Sequence, residues 1–265
     1  MTVSENRLVA YDRRVEDEPP DERHEWKLRA GAVPVALALA LAFHSCDTGH
    51  FAQRTALTMP LHELGHAVTA WWCGIGAIPS LWKTLIPESR GTLTPLVILA
   101  LEGALFWRGW TTNRTALLAL AIGLGVLQFV GTVGSSADTA ALAITFGGDA
   151  GAMVLGTALM LTFFVGPGSR LRTGGLRFGL LAIGAAGLVD TFATWWRARA
   201  DPSVIPYGEI EGVGLSDPSK LDEIYGWTTA QLVGRYVTVG VLCFVVLAVV
   251  WGWATWRARR DANPI

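Results

Sequence analysis

Apolar stretches near residues 31–46, 56–73, 93–109, 115–133, 149–166, 175–194 and 230–254 occupy most of a chain of 265 residues. At about 1.5 Å of rise per helical residue, several of them are long enough to cross roughly 30 Å of hydrocarbon. A soluble core does not need so many such segments. Hydrophobic residues make up 51% of the chain and charged residues 16%, a balance that points to a bilayer as solvent. The expected fold class is all-α, a polytopic transmembrane helix bundle of six to seven hydrophobic segments. Tryptophan placement agrees with this. Trp71/Trp72, Trp107/Trp110, Trp195/Trp196 and Trp251/Trp253/Trp256 stand at the ends of stretches, where an amphipathic ring prefers the headgroup region.

The same pattern sets the expected organisation. Residues 1–30, rich in charges of both signs, form a polar N-terminal tail on the cytoplasmic side. Residues 31–256 form a single transmembrane domain, and 257–265 a short basic C-terminal tail. The polar segment ahead of the first stretch is longer than a signal-peptide n-region, so that stretch is expected to be a retained anchor helix. The loop near 197–229 holds Pro202, Pro206 and Pro218 with the acids Glu209, Glu211, Asp217, Asp222 and Glu223. It is expected to be a solvated connection or a lid. Cys46, Cys73 and Cys243 are odd in number and lie in or beside apolar stretches, so they suggest neither a disulfide framework nor a thiolate zinc site. A net charge of −1 without a basic, aromatic-laced tract excludes a case for nucleic acid and leaves the lipid bilayer as the expected partner.

The second stretch carries His62-Glu63-Leu64-Gly65-His66. Met59 and Pro60 precede it, and Gly74, Gly76 and Pro79 follow. Proline is tolerated in a first helical turn, so a helix is predicted from Met59 or Pro60 to about Cys73. Some fifteen residues span roughly 22 Å, which is short for a crossing. If every stretch spans with the N-terminus inside, twelve of the 21 Lys and Arg residues fall inside; if the HELGH helix does not span, fourteen do. Positive residues favour the cytoplasmic side, so six spans are preferred to seven. That topology also brings Asp47, His50, His62, Asp138, Asp149 and Asp190 toward the outer face.

Residues four apart share a helix face, so His62 and His66 can offer two imidazole nitrogens to one ion. Glu63 then lies beside the ion as a candidate catalytic base rather than a ligand. Zinc suits two neutral imidazoles and a third ligand, with a position left open for water. Histidines and a glutamate in an apolar helix are costly to insert and are therefore functional candidates. The bland reading is a set of helix-end polar groups hydrogen-bonded to neighbours.

The segment HELGHAVTAWWCG, His62 to Gly74, resembles the active-site helix of the site-2 protease type of membrane zinc metallopeptidases, where HExGH is followed by small and apolar residues and then glycine. GGDAGAMVLG, Gly147 to Gly156, is similar to a small-residue helix found later in bacterial members. The resemblance implies zinc held by His62 and His66, Glu63 as the catalytic glutamate, and a third ligand from an aspartate in a later transmembrane segment. Asp149 fits that aspartate, although the asparagine and proline-rich stretch that precedes it in the family is absent. The implied setting is a bacterial-type cell membrane, and the implied substrate a transmembrane or membrane-proximal protein.

From the residues themselves the third ligand stays open. Asp149, beside Gly147, Gly148 and Gly151, leads; its alternative use is as an N-cap. Asp138 is a good N-cap and a weaker ligand. His44, Asp47 and His50 could complete the site or orient a ligand histidine. Asp190 and Glu102 are the remaining embedded acids. The expected function is a membrane-embedded zinc metallopeptidase. The alternative is a non-catalytic membrane protein with a structural or sensory metal or polar cluster.

Overall fold

The computed structural model describes residues 22–87, 89–166, 168–210 and 214–262. Residues 1–21 of the expected tail lie outside the described residues, and 22–30 form the first turns of a helix. The described chain folds into helices α1 (Glu22–His44), α2 (Asp47–Gln53), α3 (Met59–Trp72), α4 (Leu93–Thr111), α5 (Thr115–Thr132), α6 (Ala137–Leu161), α7 (Leu176–Arg197) and α8 (Thr229–Ala262). Two small antiparallel hairpins accompany them: β1 (Ile78–Pro79) with β2 (Thr84–Leu85), and β3 (Glu209–Ile210) with β4 (Gly214–Leu215).

Five helices, α1, α5, α6, α7 and α8, are long and apolar enough to cross a membrane, which makes this a multi-pass membrane protein by length and composition. Their outward faces agree with lipid as solvent. Leu39, Leu41 and Phe43 on α1, Ile122, Val126 and Phe129 on α5, and Leu242, Val245 and Val249 on α8 are all exposed, a density of apolar surface that water does not tolerate. The protein interior lies around α6 and α7, where 56% of the apolar window is buried against 11% in α1 and α5.

Pairings at the helix ends orient the bundle. Glu25 near the start of α1 meets Arg177 at the start of α7 at 3.1 Å and Arg172 just before it at 2.6 Å. His44 at the end of α1 reaches Asp190 late in α7 at 2.9 Å, so α1 and α7 run in the same direction. The Trp251 indole donates to the Arg29 carbonyl at 3.1 Å, bringing the far half of α8 back to the start of α1. The end of α3 meets the end of α5, where Thr132 Oγ1 donates to the Trp72 carbonyl at 2.9 Å. Arg90 ties the same corner together through the Cys73 and Ser135 carbonyls at 3.0 and 2.7 Å.

Local sequence explains the helix that matters most. A π-helical turn, Arg54–Thr58, leads from α2 into α3, and Pro60 occupies the first turn of α3. Cys73 caps the helix and Gly74 adopts φ +77°, a backbone open to glycine at no steric cost. The start at Met59 and the break at Gly74 match the sequence reading. At 14 residues, or about 21 Å, α3 is shorter than the five candidate spans.

One expectation changes. Asp149 does not open a helix; it lies in the middle of α6, which starts at Ala137. Ser136 is the N-cap, its Oγ accepting from the Thr139 amide at 3.1 Å. By hydropathy alone the apolar stretch begins at Asp149 because a charged residue interrupts the count, whereas in the fold that charge is paired.

Candidate metal centre

The centre is built where α3 presses on α6. A Cβ on Gly65 would meet the Gly147 carbonyl oxygen and, at 2.8 Å, that of Gly148. A Cβ on Gly148 would stand 2.5 Å from His62 Cε1 and 2.6 Å from His66 Nε2. Only glycines let the two backbones approach this closely, and the approach brings both imidazoles against α6.

His62 and His66, one turn apart, stand edge to face with centroids 4.6 Å apart. Their Nε2 atoms are 3.1 Å from each other. Asp217 Oδ2 lies 3.2 Å from His62 Nε2 and 2.9 Å from His66 Nε2. A tetrahedral zinc with bonds near 2.0–2.1 Å separates its ligand atoms by about 3.3 Å, and this triangle comes within a few tenths of an ångström of that on every side.

The other ring nitrogens are already committed. His66 Nδ1 is 2.7 Å from the Ile144 carbonyl oxygen, which can only accept, so His66 carries its proton on Nδ1 and its lone pair on Nε2 when neutral. His62 Nδ1 is 2.8 Å from Asp149 Oδ1, which imposes the same tautomer. Asp149 is held in turn by the buried Trp195 indole, which donates to Oδ2 at 2.7 Å. When both imidazoles are neutral, His62 Nε2, His66 Nε2 and Asp217 Oδ2 are three acceptors facing one another, an arrangement that a shared cation would satisfy. His62, His66 and Asp217 form a group that could hold a metal ion.

Asp217 arrives from the long loop between α7 and α8. Ser216 caps the helical turn Asp217–Ser219, which runs on into a π-helical turn, Lys220–Ile224. Fully buried Leu221, with Ile205 and Trp227, anchors this loop in the interior. Burial would raise the Asp217 carboxyl, but where no ion is bound the hydrogen bonds that His62 and His66 donate in their protonated form outweigh it and hold it well below the usual carboxylate range. A group depressed in this way contributes to loop docking above its ordinary range and loses that contribution only as pH falls through the lowered value.

Glu63 is buried, 6% exposed. Thr84 Oγ1, from the β1–β2 hairpin, lies 2.7 Å from both its carbonyl oxygen and its Oε2. The hairpin thus holds the carboxylate of the residue that follows His62.

The remaining sequence candidates divide. Asp149 joins the centre, on the Nδ1 side of His62 rather than among the converging atoms. His44, His50 and Asp190 form a second group that could hold a metal. The histidines from His44 to His66 therefore split into two pairs instead of sharing one closed site. Asp47 and Asp138 are exposed in the first turns of α2 and α6, and Glu102 is buried on α4 toward Gly125 of α5; among the described residues none of these belongs to either group. Sequence reasoning missed Asp217 as a site residue. Its one signal was Ser216-Asp217-Pro218-Ser219, a helix-start pattern inside an otherwise irregular loop.

No family model matches this chain, and no curated protein and no solved structure matches it. The fold and the geometry define its class: a multi-pass helical membrane protein with, among the described residues, two His-His-Asp groups that could bind metal.

Proposed function

We propose that this protein is a membrane-embedded zinc metallopeptidase of the site-2 protease type, with zinc held by His62, His66 and Asp217. The carrying observation is that His62 Nε2, His66 Nε2 and Asp217 Oδ2 converge while the two rings are held from behind by the Ile144 carbonyl and Asp149. Three protein ligands leave a fourth position for water, which is the pattern of catalytic rather than structural zinc. When bound, the ion would supply a Lewis acid and lower the pKa of water toward about 7. Glu63 would serve as the acid–base group of the hydrolysis, accepting a proton and passing it to the leaving amine. Asp149 orients His62 and raises its basicity, and Thr84 holds Glu63 in place.

In this reading Asp149 is a positioning residue, not the ligand that the resemblance implies. Asp149→Asn is expected to weaken zinc about 10- to 100-fold, the usual cost of losing a partner of a ligating histidine. Competition with a chelator of known affinity measures this. Complete loss of zinc would make Asp149 a ligand instead.

The paired ends support a six-span topology in which α4 joins the five helices that are long and apolar enough to cross. α1 and α7 run in the same direction, and α3 ends beside the end of α5. With α1 entering from the cytoplasm, the segment from His44 to Cys73 leaves and returns on the outer side, so α3 is re-entrant and α4 crosses. The six spans are α1, α4, α5, α6, α7 and α8. Single cysteines at Ser80 and Ser135, in a background lacking the native cysteines, are expected to react with an impermeant reagent from the same, outer side. Labelling from opposite sides would refute the re-entrant helix.

A further inference from the structure

The second group has no part in that chemistry, yet it repeats the geometry of the first. Asp190 Oδ1 lies 2.9 Å from His44 Nδ1 and 3.1 Å from His50 Nε2. In the first group the carboxylate oxygen of Asp217 meets its two imidazoles at 2.9 and 3.2 Å. The His44 and His50 rings stand with centroids 4.6 Å apart, the same separation as His62 and His66. Three separate elements supply the group: the end of α1, the short helix α2 and the buried face of α7. Arg54 takes the other carboxylate oxygen, Nη1 standing 3.4 Å from Oδ2, which fixes the carboxylate and leaves Oδ1 to the imidazoles.

We infer that His44, His50 and Asp190 form a second binding site for a divalent metal of the zinc class, distinct from the catalytic one. Two imidazoles and one carboxylate suit zinc and its neighbours better than magnesium or calcium, which prefer all-oxygen sites. The surroundings separate its role from that of the first site. Asp190 is fully buried but the His50 side chain is 43% exposed, so the ion exchanges with the outer solution. No glutamate adjoins either histidine as Glu63 adjoins His62, so the site binds without hydrolysing. Arg54 stands between the two groups, its Nη2 also 3.9 Å from Asp149 Oδ1, so the outer site backs directly onto the residues that hold the inner one.

The test uses the full-length protein in detergent, stripped with chelator and equilibrated with Zn²⁺ alone, with bound zinc counted by mass spectrometry. The wild type is expected to hold about two equivalents, and His50→Ala and Asp217→Ala about one each. A wild type holding one equivalent that survives His50→Ala overturns the outer site. If that single equivalent is instead lost in His50→Ala and kept in Asp217→Ala, the outer site stands and the peptidase reading fails. His50 is half-exposed, so its variant should keep wild-type helix content by circular dichroism. A titration with Co²⁺, followed by its visible absorption, gives an independent count: saturation at two equivalents is expected, and saturation at one equivalent that persists in His50→Ala overturns the proposal.

Discussion

Glu63→Gln is expected to keep its zinc and to lose about 10²- to 10⁴-fold in turnover, the range that a positioned acid–base group supplies. The amide has nearly the volume of the carboxylate and keeps an oxygen that accepts from Thr84 Oγ1, which stands 2.7 Å from Glu63 Oε2. The helix therefore has no reason to shift. The converging atoms belong to His62, His66 and Asp217, so removing the charge at Glu63 leaves the ligand set intact and removes only the proton acceptor. Fluorogenic transmembrane-helix peptides, co-reconstituted with the protein in vesicles, give the rate, and metal analysis of the same preparation gives the zinc. Loss of both rate and zinc would turn Glu63 into a structural element of the centre. Full turnover would remove it from the chemistry.

The HELGH helix was legible in the sequence because its information is local. The i, i+4 spacing of His62 and His66, Pro60 ahead and Gly74 behind define one short helix with one polar face. The bundle class was legible for the same reason, since span length and apolar content are counted along the chain. The start of α6 was not legible. Hydropathy treats Asp149 as an interruption, but its cost is offset by His62 and Trp195, which are distant in sequence. The two His-His-Asp groups that could hold a metal were only half legible. His44, His50 and Asp190 looked like competitors for a single ion, and nothing in their order along the chain shows that α7 gathers them into a group of their own. Asp217 was the hardest case. Its loop is acidic and proline-punctuated, a composition that fits solvent as well as a site, and only the burial of Leu221, Ile205 and Trp227 carries it over the histidines.

Asp217→Ala carries the second large effect and bears most directly on the centre. Structural zinc sites with four protein ligands bind with about 10–16 kcal/mol, so the share of one ligand is on the order of 3 kcal/mol, more than about a hundredfold in Kd. Asp217 also ties the loop to both histidines, at 3.2 and 2.9 Å, so its removal frees the loop as well as the ion. Zinc affinity should be compared between Asp217→Ala and Asp149→Ala, each combined with His50→Ala so that only the inner centre is read. The expected result is a loss of affinity of more than about a hundredfold with Asp217→Ala and a smaller loss, within about 10- to 100-fold, with Asp149→Ala. Unchanged affinity in Asp217→Ala, with complete loss in Asp149→Ala, would contradict a centre made of His62, His66 and Asp217.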